Sequence, residues 1–543
     1  MPSGDTSHMS TPGAVGRLGL SGLLRHWAEL KPEALALADQ PNKERLGLGA
    51  PRRLTFAQTD AAVDRLAAFL LASGVGPGAI AALQMPHTTE SLLIALACLR
   101  AGVCAAITPF AWRRHEVSAA FASLAVEAAI GSWAGGRSQS HVLTAAGVRN
   151  AELCFAFTFG EEAPDGLTNL DDLIDLGDKP PSVSHEEPQS AAFLHFAPRA
   201  RAMPLIIPRS NRDLVAAGLA SSTSASLNDR TVLLSAFPIS GVTGLAGFFA
   251  PWLITGASLI LHHPFDNALF GCQLSGEGVT FTALPAEVAD GVEREISLTA
   301  LNPPVIARVY SLPPAKTTQP DTVEAARGAV GLLNIAEYAL LARPAAAMPA
   351  AWLPLGVASH ATGNAALTFL ETRLRGKILR KETTSMLSGE LCLRGAAAPT
   401  LLGTLAELNP GASIVDADDF INTGLECTFA DAAMSMIACA PQPLLARMGG
   451  VAIDIEELDR LYAGFPGFLD AAAFTISDRL LGERIFAAVA PPPGESVAES
   501  DFRNYLESLD IAPFKFPEKL VVVKYVPRDS EGSVLRERIL SEI

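Results

Sequence analysis

The chain has 543 residues, 49% of them hydrophobic and 18% charged, enough apolar material for large cores and more than one domain. A net charge of −16 without any basic run argues against a nucleic-acid partner, whose phosphates need clustered Lys and Arg. Seven cysteines (Cys98, Cys104, Cys154, Cys272, Cys392, Cys427, Cys439) lack C-x-x-C or histidine-rich spacing, so they read as small buried hydrophobes in a reducing compartment rather than disulfide or zinc ligands.

Residues 1–16, rich in Gly, Ser, Thr and Pro, have no charged-then-apolar order and read as a flexible leader, with the cytoplasm as default location. Thr55 to Asp60 opens a helix, apolar positions continue it through Ala61 to Leu71, and Gly74 ends it. A strand Ile80 to Met85, a helix Thr89 to Ala101 and a strand Val103 to Ile107 then make a β-α-β unit. Further buried strands are predicted at Val126 to Ile130, Ala191 to Phe196, Val232 to Phe237, Ser258 to Leu261 and Val279 to Ala283, a pattern that fits parallel sheets in layers. Two apolar stretches, Leu92 to Ala111 and Val242 to Leu261, are broken by Arg100 and Pro109 and by Gly244, Gly247, Pro251 and Gly256, so no membrane span is expected. Beyond about residue 440 a compact unit carries predicted helices at Asp454 to Tyr462 and Ala498 to Leu509. Strands are predicted there near Ala471 to Ile476, Ile485 to Ala490 and Leu520 to Val523.

Several blocks carry a resemblance. They are Gly74-Val75-Gly76-Pro77-Gly78, Cys98-Leu99-Arg100-Ala101-Gly102, Gly389-Glu390-Leu391-Cys392-Leu393-Arg394-Gly395, Phe514-Lys515-Phe516-Pro517 and the closing Pro527-Arg528-Asp529-Ser530-Glu531-Gly532-Ser533. From about Leu20 onward the chain resembles the adenylate-forming superfamily of acyl-CoA synthetases, peptide-synthetase adenylation domains and luciferases. The resemblance implies an α/β fold: a large N-terminal domain of layered sheets and helices (17–439), a hinge (440–450) and a small mobile α+β C-terminal domain (451–543). It also implies ATP, Mg2+ and coenzyme A as cofactors, with acyl-AMP formed first and coenzyme A attacking after the small domain rotates.

What the resemblance implies position by position is mostly a loss of nucleotide chemistry. Ser533 stands where the catalytic lysine belongs, and a hydroxyl has neither its reach nor its charge. The phosphate loop should be glycine- and hydroxyl-rich and end in lysine, because converging amides cradle phosphate; here 197–205 reads Ala-Pro-Arg-Ala-Arg-Ala-Met-Pro-Leu. Arg199 and Arg201 either attract an anion or are solvated loop residues. Asn334 stands at the aromatic near adenine, Ala336 at a hydroxyl, and Glu337 at the Mg2+-binding acid, or is simply a capping carboxylate. Thr423 is kept but Leu425 replaces the ribose-binding Asp, while Pro441 and Leu444 replace the hinge Arg and Asp, with Pro441 and Pro443 expected to restrict rotation. Gly449 and Gly450 leave room for the pantetheine arm or form a tight turn. Phe237, Gly241, Gly244 and Gly247 fall in the acyl-pocket segment, the glycines leaving space for a bulky or alicyclic acid.

These changes predict weak or absent ATP and Mg2+ binding. Three readings follow: an acyl-CoA-synthetase-like protein with adenylation lost, binding an acyl or acyl-CoA ligand or a competent ligase as protein partner; an active ligase in which Arg199, Arg201, Lys515 or Lys519 replaces the missing cations; or a handler of preformed acyl-adenylate or acyl-CoA. No second chemistry is legible: G-x-S-x-G and H-E-x-x-H are absent, and His115, His195, His262 and His263 have no evident partner in the sequence.

Overall fold

The computed structural model describes residues 19–143, 153–161, 163–177, 180–185, 190–197, 199, 204–286, 288–289, 292, 304–312, 330–344, 353–362, 365–380, 386–430, 435–439, 444–478 and 481–542. Arg201, Pro441 and Pro443, with most of the 197–205 loop, lie outside them.

Helix punctuation follows the sequence. Thr55 caps the helix Phe56–Ser73 through a reciprocal box with Gln58, and Gly74 closes it at φ 98°, a backbone angle that costs glycine little. The β-α-β unit forms as Ile80–Gln84, Thr89–Ala101 and Cys104–Ile107, its strands parallel with Ile80 opposite Cys104. Every residue of that helix is buried, which is why Leu92 to Ala111 reads as apolar enough for a membrane. Among the described residues, no helix is long and apolar enough to cross one.

Four sheets form among the described residues. One contains Ile80–Gln84 at its middle and ends in the antiparallel pair Ala191–Ala197 and Leu205–Ser210, with Leu205 opposite Ala197. A second runs, in spatial order, from Ala339–Pro344 through Val330–Ile335, Val305–Leu312, Phe281–Pro285, Val232–Ser235 and Ser258–Leu261 to Leu35–Ala38 and Arg53–Thr55. Between these two sheets lies the main apolar core, which includes Leu66, Leu92, Phe193, Phe249 and Leu259. A third, antiparallel sheet spans Gly356–Thr362 to Ser435–Cys439, and a fourth builds the small C-terminal domain around Asp470–Asp478 and Gly482–Ala490. The small domain has its own core beneath the helices Ile455–Ala463 and Glu499–Ser508.

Five of the cysteines are buried as expected, but Cys154 and Cys272 are exposed; all seven are free thiols. Buried charge ties the edge of the second sheet to the helix Thr89–Ala101. Lys43, fully enclosed, pairs with Asp39 at 2.8 Å and with Glu90, and Arg52 reaches Glu90 at 2.9 Å. Asp39 in turn accepts from the amide and hydroxyl of Thr89 at 2.8 and 2.9 Å. Burial and the neighbouring Glu90 push the Asp39 carboxyl up, whereas Lys43 and Arg52 hold Glu90 down against its own burial. Lys43→Met would leave two enclosed carboxylates short of a countercharge. Its urea-unfolding free energy should fall by about 3–5 kcal/mol, and a loss under about 1 kcal/mol would show that the cluster is not held by Lys43.

Candidate functional site

A cleft of about 1500 Å3 lies where the C-terminal ends of the second sheet meet the third sheet and the small domain. Its position outside strand ends is where open α/β sheets place ligands. The fold brings to it Phe237, Gly241, Gly244, Asn334, Glu337, Thr423, Leu425, Gly449, Gly450 and Arg199. Gly247 and Ser533 are not among its lining residues.

Glu337 is the best-defined group in the site, and its oxygens are engaged. One accepts from the Val242 amide at 2.7 Å and the other from the Asn334 side chain at 2.6 Å. Val242 begins a helical stretch, residues 242–255, with a π turn at Leu245–Phe249, so the carboxylate sits on unsatisfied amides at the positive end of a helix dipole. Asn334 closes the loop: its carbonyl accepts from the Glu337 amide at 2.9 Å, and its NH2 also reaches Thr243 Oγ1 at 3.3 Å. Of its two sequence readings, Glu337 has the geometry of the capping carboxylate.

The turn that presents Glu337 is strained and gripped. Ala336 and Glu337 both have left-handed backbones, at φ 47° and 63°, a conformation that costs side-chain-bearing residues of order 1–3 kcal/mol each. Arg209, buried in the strand Leu205–Ser210, donates to the carbonyls of Glu337 and Tyr338 at 2.9 and 2.6 Å, and His195 Nε2 donates to the Glu337 carbonyl at 3.1 Å. That bond requires the proton on Nε2, while Nδ1 has no partner among the described residues. Burial lowers the Arg209 guanidinium to about 10, with Asp213 and Glu337 opposing, and burial lowers His195 to about 3, with Arg209 adding to it. Sequence reasoning gave Arg209 no role and found no partner for His195; the only available signal was an Arg and a His inside strongly apolar strand runs.

The strand that carries Thr423 and Leu425 is similarly self-satisfied. The Thr423 hydroxyl donates to the Leu391 carbonyl at 2.7 Å and accepts from the Leu425 amide at 3.2 Å. Leu425 is fully buried in an apolar cluster with Leu391, Ile421 and Phe429, and Glu426 projects, exposed, from the other face of the strand. Leu205 packs on the edge of the same cluster.

The pocket glycines serve close packing rather than open room, which corrects the expectation of space for a bulky acid. A Cβ on Gly244 would collide with the Pro238 carbonyl, one on Gly247 would press on Leu340 at 3.3 Å, and one on Gly241 would sit 3.3 Å from the Glu337 carboxylate. Phe237 stacks on Phe248. Gly449 and Gly450, at φ 57° and 87°, form the two-residue turn of the hairpin Leu445–Met448 and Val451–Asp454, and also line the cleft beside Pro285.

Cations expected to substitute for the missing lysines fare differently. Lys515 is buried and neutralised by Glu457 at 2.6 Å and Glu116 at 2.8 Å. Lys519 is exposed and is not among the cleft residues, whereas Arg199 is exposed at the cleft. Ser533 lies on an exposed turn, its amide bonded to Asp529 at 2.9 Å. The histidines that lack sequence partners have structural ones: His115 meets Glu457 at 3.1 Å, His262 meets Gln273 at 2.6 Å, and His263 lies edge-on to Phe110.

Two predictions follow from this geometry. Glu337→Ala should lower stability by about 1–3 kcal/mol, because the Val242 amide loses its acceptor, and an unchanged thermal midpoint would contradict the capping role. Burial also keeps His87 and His195 neutral down to about 3 and His263 to about 4. The unfolded chain protonates such rings below about pH 6.5, so stability should fall by about 1.4 kcal/mol per ring per pH unit below that value. Urea midpoints should drop between pH 7.5 and 5, with part of the drop removed in His195→Gln; a flat profile would contradict neutral burial.

A family model described as AMP-binding enzyme matches residues 24–338. A salicylyl-CoA synthase / salicylate adenylyltransferase from a Streptomyces species is 26% identical over 96% of this chain and 93% of its own length. Among solved structures, o-succinylbenzoate CoA synthetase from Bacillus subtilis, a double mutant bound to its product analogue OSB-NCoA, superposes with a TM-score of 0.72 at 16% identity, covering 96% of this chain and 98% of its own. The same synthetase with its acyl-adenylate intermediate OSB-AMP gives 0.59 at 16% identity, with 95% and 97% covered.

Proposed function

Since the chain belongs to the AMP-binding enzyme family, we propose that it is an acyl-CoA-synthetase-like protein in which ATP-dependent adenylation is lost or strongly impaired, and that the cleft is kept for binding an acyl or acyl-CoA ligand. The family's chemistry joins a carboxylate to AMP and then to a thiol such as coenzyme A. The observation that carries the reading is the engagement of Glu337 by Val242 and Asn334.

A hard cation needs carboxylate lone pairs, and each oxygen of Glu337 already spends one on a donor of the protein. To take Mg2+, Glu337 would have to release or share both, and the groups that would help it are missing: Leu205, Leu425 and Ser533 offer neither charge nor acceptor of the right reach. The donor set therefore does not fit a magnesium nucleotide, and no adenylation step is assigned to these residues. Phe237, Pro238, Ala236, Leu284 and Val309 line the cleft with apolar surface suited to an acyl chain or aromatic acid. Arg199 remains as a cation for an anionic end group, with Arg460 exposed at the same cleft.

Calorimetry with ATP and Mg2+ should give no binding heat at micromolar protein, and pyrophosphate release with a carboxylate panel that includes salicylate should run at least about a thousandfold below a competent ligase. An aromatic acyl-CoA should raise the thermal midpoint. Pyrophosphate release at ordinary ligase rates would overturn the proposal in favour of an active enzyme. Turnover of supplied acyl-adenylate or acyl-CoA, without pyrophosphate release from ATP, would favour the handler of preformed intermediates.

A further inference from the structure

The cleft has two apolar faces, and they belong to different cores. At one end Ala236, Phe237, Leu284 and Val309 are outcrops of the clusters packed around the second sheet. At the other, Leu205, Ala336, Tyr338, Ala412, Ile414 and Leu425 all belong to the core that joins the second sheet to the third. Every residue of this second face precedes position 440, so the large domain builds it alone, wherever the small domain stands.

Three members of the second face stand at positions to which the resemblance assigns nucleotide contacts. Leu205 replaces the lysine that closes the phosphate loop, Ala336 a hydroxyl and Leu425 the ribose-binding acid. Each exchange removes a polar group, and the fold turns all three onto one common core. Polar loss alone would leave a hollow edged by idle donors and acceptors. Here the polar groups nearby are occupied: the Thr423 hydroxyl bonds Leu391 and Leu425, and the Asn409 side chain, next to Leu205, takes the Ile206 amide at 2.9 Å and donates to the Ile206 and Leu405 carbonyls, both at 2.8 Å. A surface of this kind gains free energy by covering apolar area and loses it by desolvating a phosphate.

Charge narrows the class of ligand further. Of the large-domain carboxylates at the cleft, Glu116 is paired with Lys515, Glu337 caps Val242, and Glu390 stands opposite Arg375 on the neighbouring strand. Arg199 is exposed at the cleft and lies in the connection between Ala197 and Leu205, which sit opposite each other on paired strands. It is near enough to Tyr338 to oppose the rise that burial imposes on that hydroxyl, which stays protonated as a neutral donor. One guanidinium beside an apolar wall matches one negative charge, not the several of a triphosphate.

We propose that this second face is a binding lobe for an apolar monoanion, an alkyl or aryl group carrying a single negative charge, with the apolar part against Leu205, Ala336 and Leu425 and the charge on Arg199. The lobe rests on the reading that the cleft has given up the magnesium nucleotide, and it adds the class of ligand that the same walls now select.

Calorimetry with 1-octanesulfonate, which can be neither adenylated nor thioesterified, tests the lobe in the full chain. Binding is expected, weaker by about fivefold for 1-octanol, with no heat from pyrophosphate and Mg2+. Arg199→Gln should bring the sulfonate down to the level of the alcohol. Leu205→Gln should weaken both compounds by about tenfold, and Leu205 is only partly buried, so the new amide reaches water. Ala336→Asn should act likewise, because asparagine tolerates the left-handed backbone at this position better than most residues and adds a polar group to the wall. Arg199 is exposed, so Arg199→Gln keeps the fold and decides if either of the other variants loses it. Octanesulfonate that fails to bind, or that binds all three variants as it binds the unsubstituted chain, would overturn the lobe and leave the loss of nucleotide standing. Weakening by Phe237→Ala but not by Leu205→Gln would place the alkyl group on the other face and overturn the lobe in the same way. Displacement of the sulfonate by micromolar ATP and Mg2+ would overturn the underlying reading and the lobe with it.

Discussion

The carboxylate of Glu337 is the constraint on which the rest of the site depends. A helix begins at Val242 with amides that have no partner in the preceding turn, and the fold supplies one from a neighbouring strand end rather than from a local cap. Holding that acid in place requires two consecutive left-handed residues, and these require Arg209 and His195 beneath them. The arrangement is a sequence of dependencies: a buried guanidinium secures a turn, the turn presents a carboxylate, and the carboxylate completes a helix. Each member has its partner within the chain. A site assembled in this way spends a lone pair of each Glu337 oxygen on the protein itself.

The same economy extends across the cleft. Thr423 spends its hydroxyl on Leu391 and Leu425, Leu425 is drawn into a core, and Lys515 is consumed by two carboxylates. What remains open is mostly apolar surface and two exposed arginines, Arg199 and Arg460. The proposed reading, an acyl receptor rather than a site that neutralises a triphosphate, rests on those properties.

Local elements were largely legible because their signals are local. Thr55 and Gln58 announce a helix start and Gly74 an end through bonds spanning three or four residues, and the run Leu92 to Leu99 is apolar throughout because its helix is buried on all sides. The replacements that the resemblance implies at Leu205, Leu425 and Ser533 need only the sequence, since an aliphatic side chain offers neither charge nor acceptor and a serine hydroxyl offers no charge. The partners that decide the site were not. Glu337 reaches Val242 across 95 positions, Arg209 reaches Tyr338 across 129, and Ala512 reaches Glu116 across 396, and no periodicity or spacing encodes such pairings. The pocket glycines misled for the same reason. Small size reads as empty space in a sequence, but Gly244 and Gly247 are small because a carbonyl and a leucine press against them.

A crystal of the protein grown with a non-hydrolysable ATP analogue and Mg2+ would test the central claim most directly. The account predicts a Glu337 carboxylate still on the Val242 amide and the Asn334 side chain, with no ordered nucleotide in the cleft. A magnesium ion coordinated by Glu337, with the carboxylate turned away from Val242 and phosphates ordered beside residues 197–205, would contradict it.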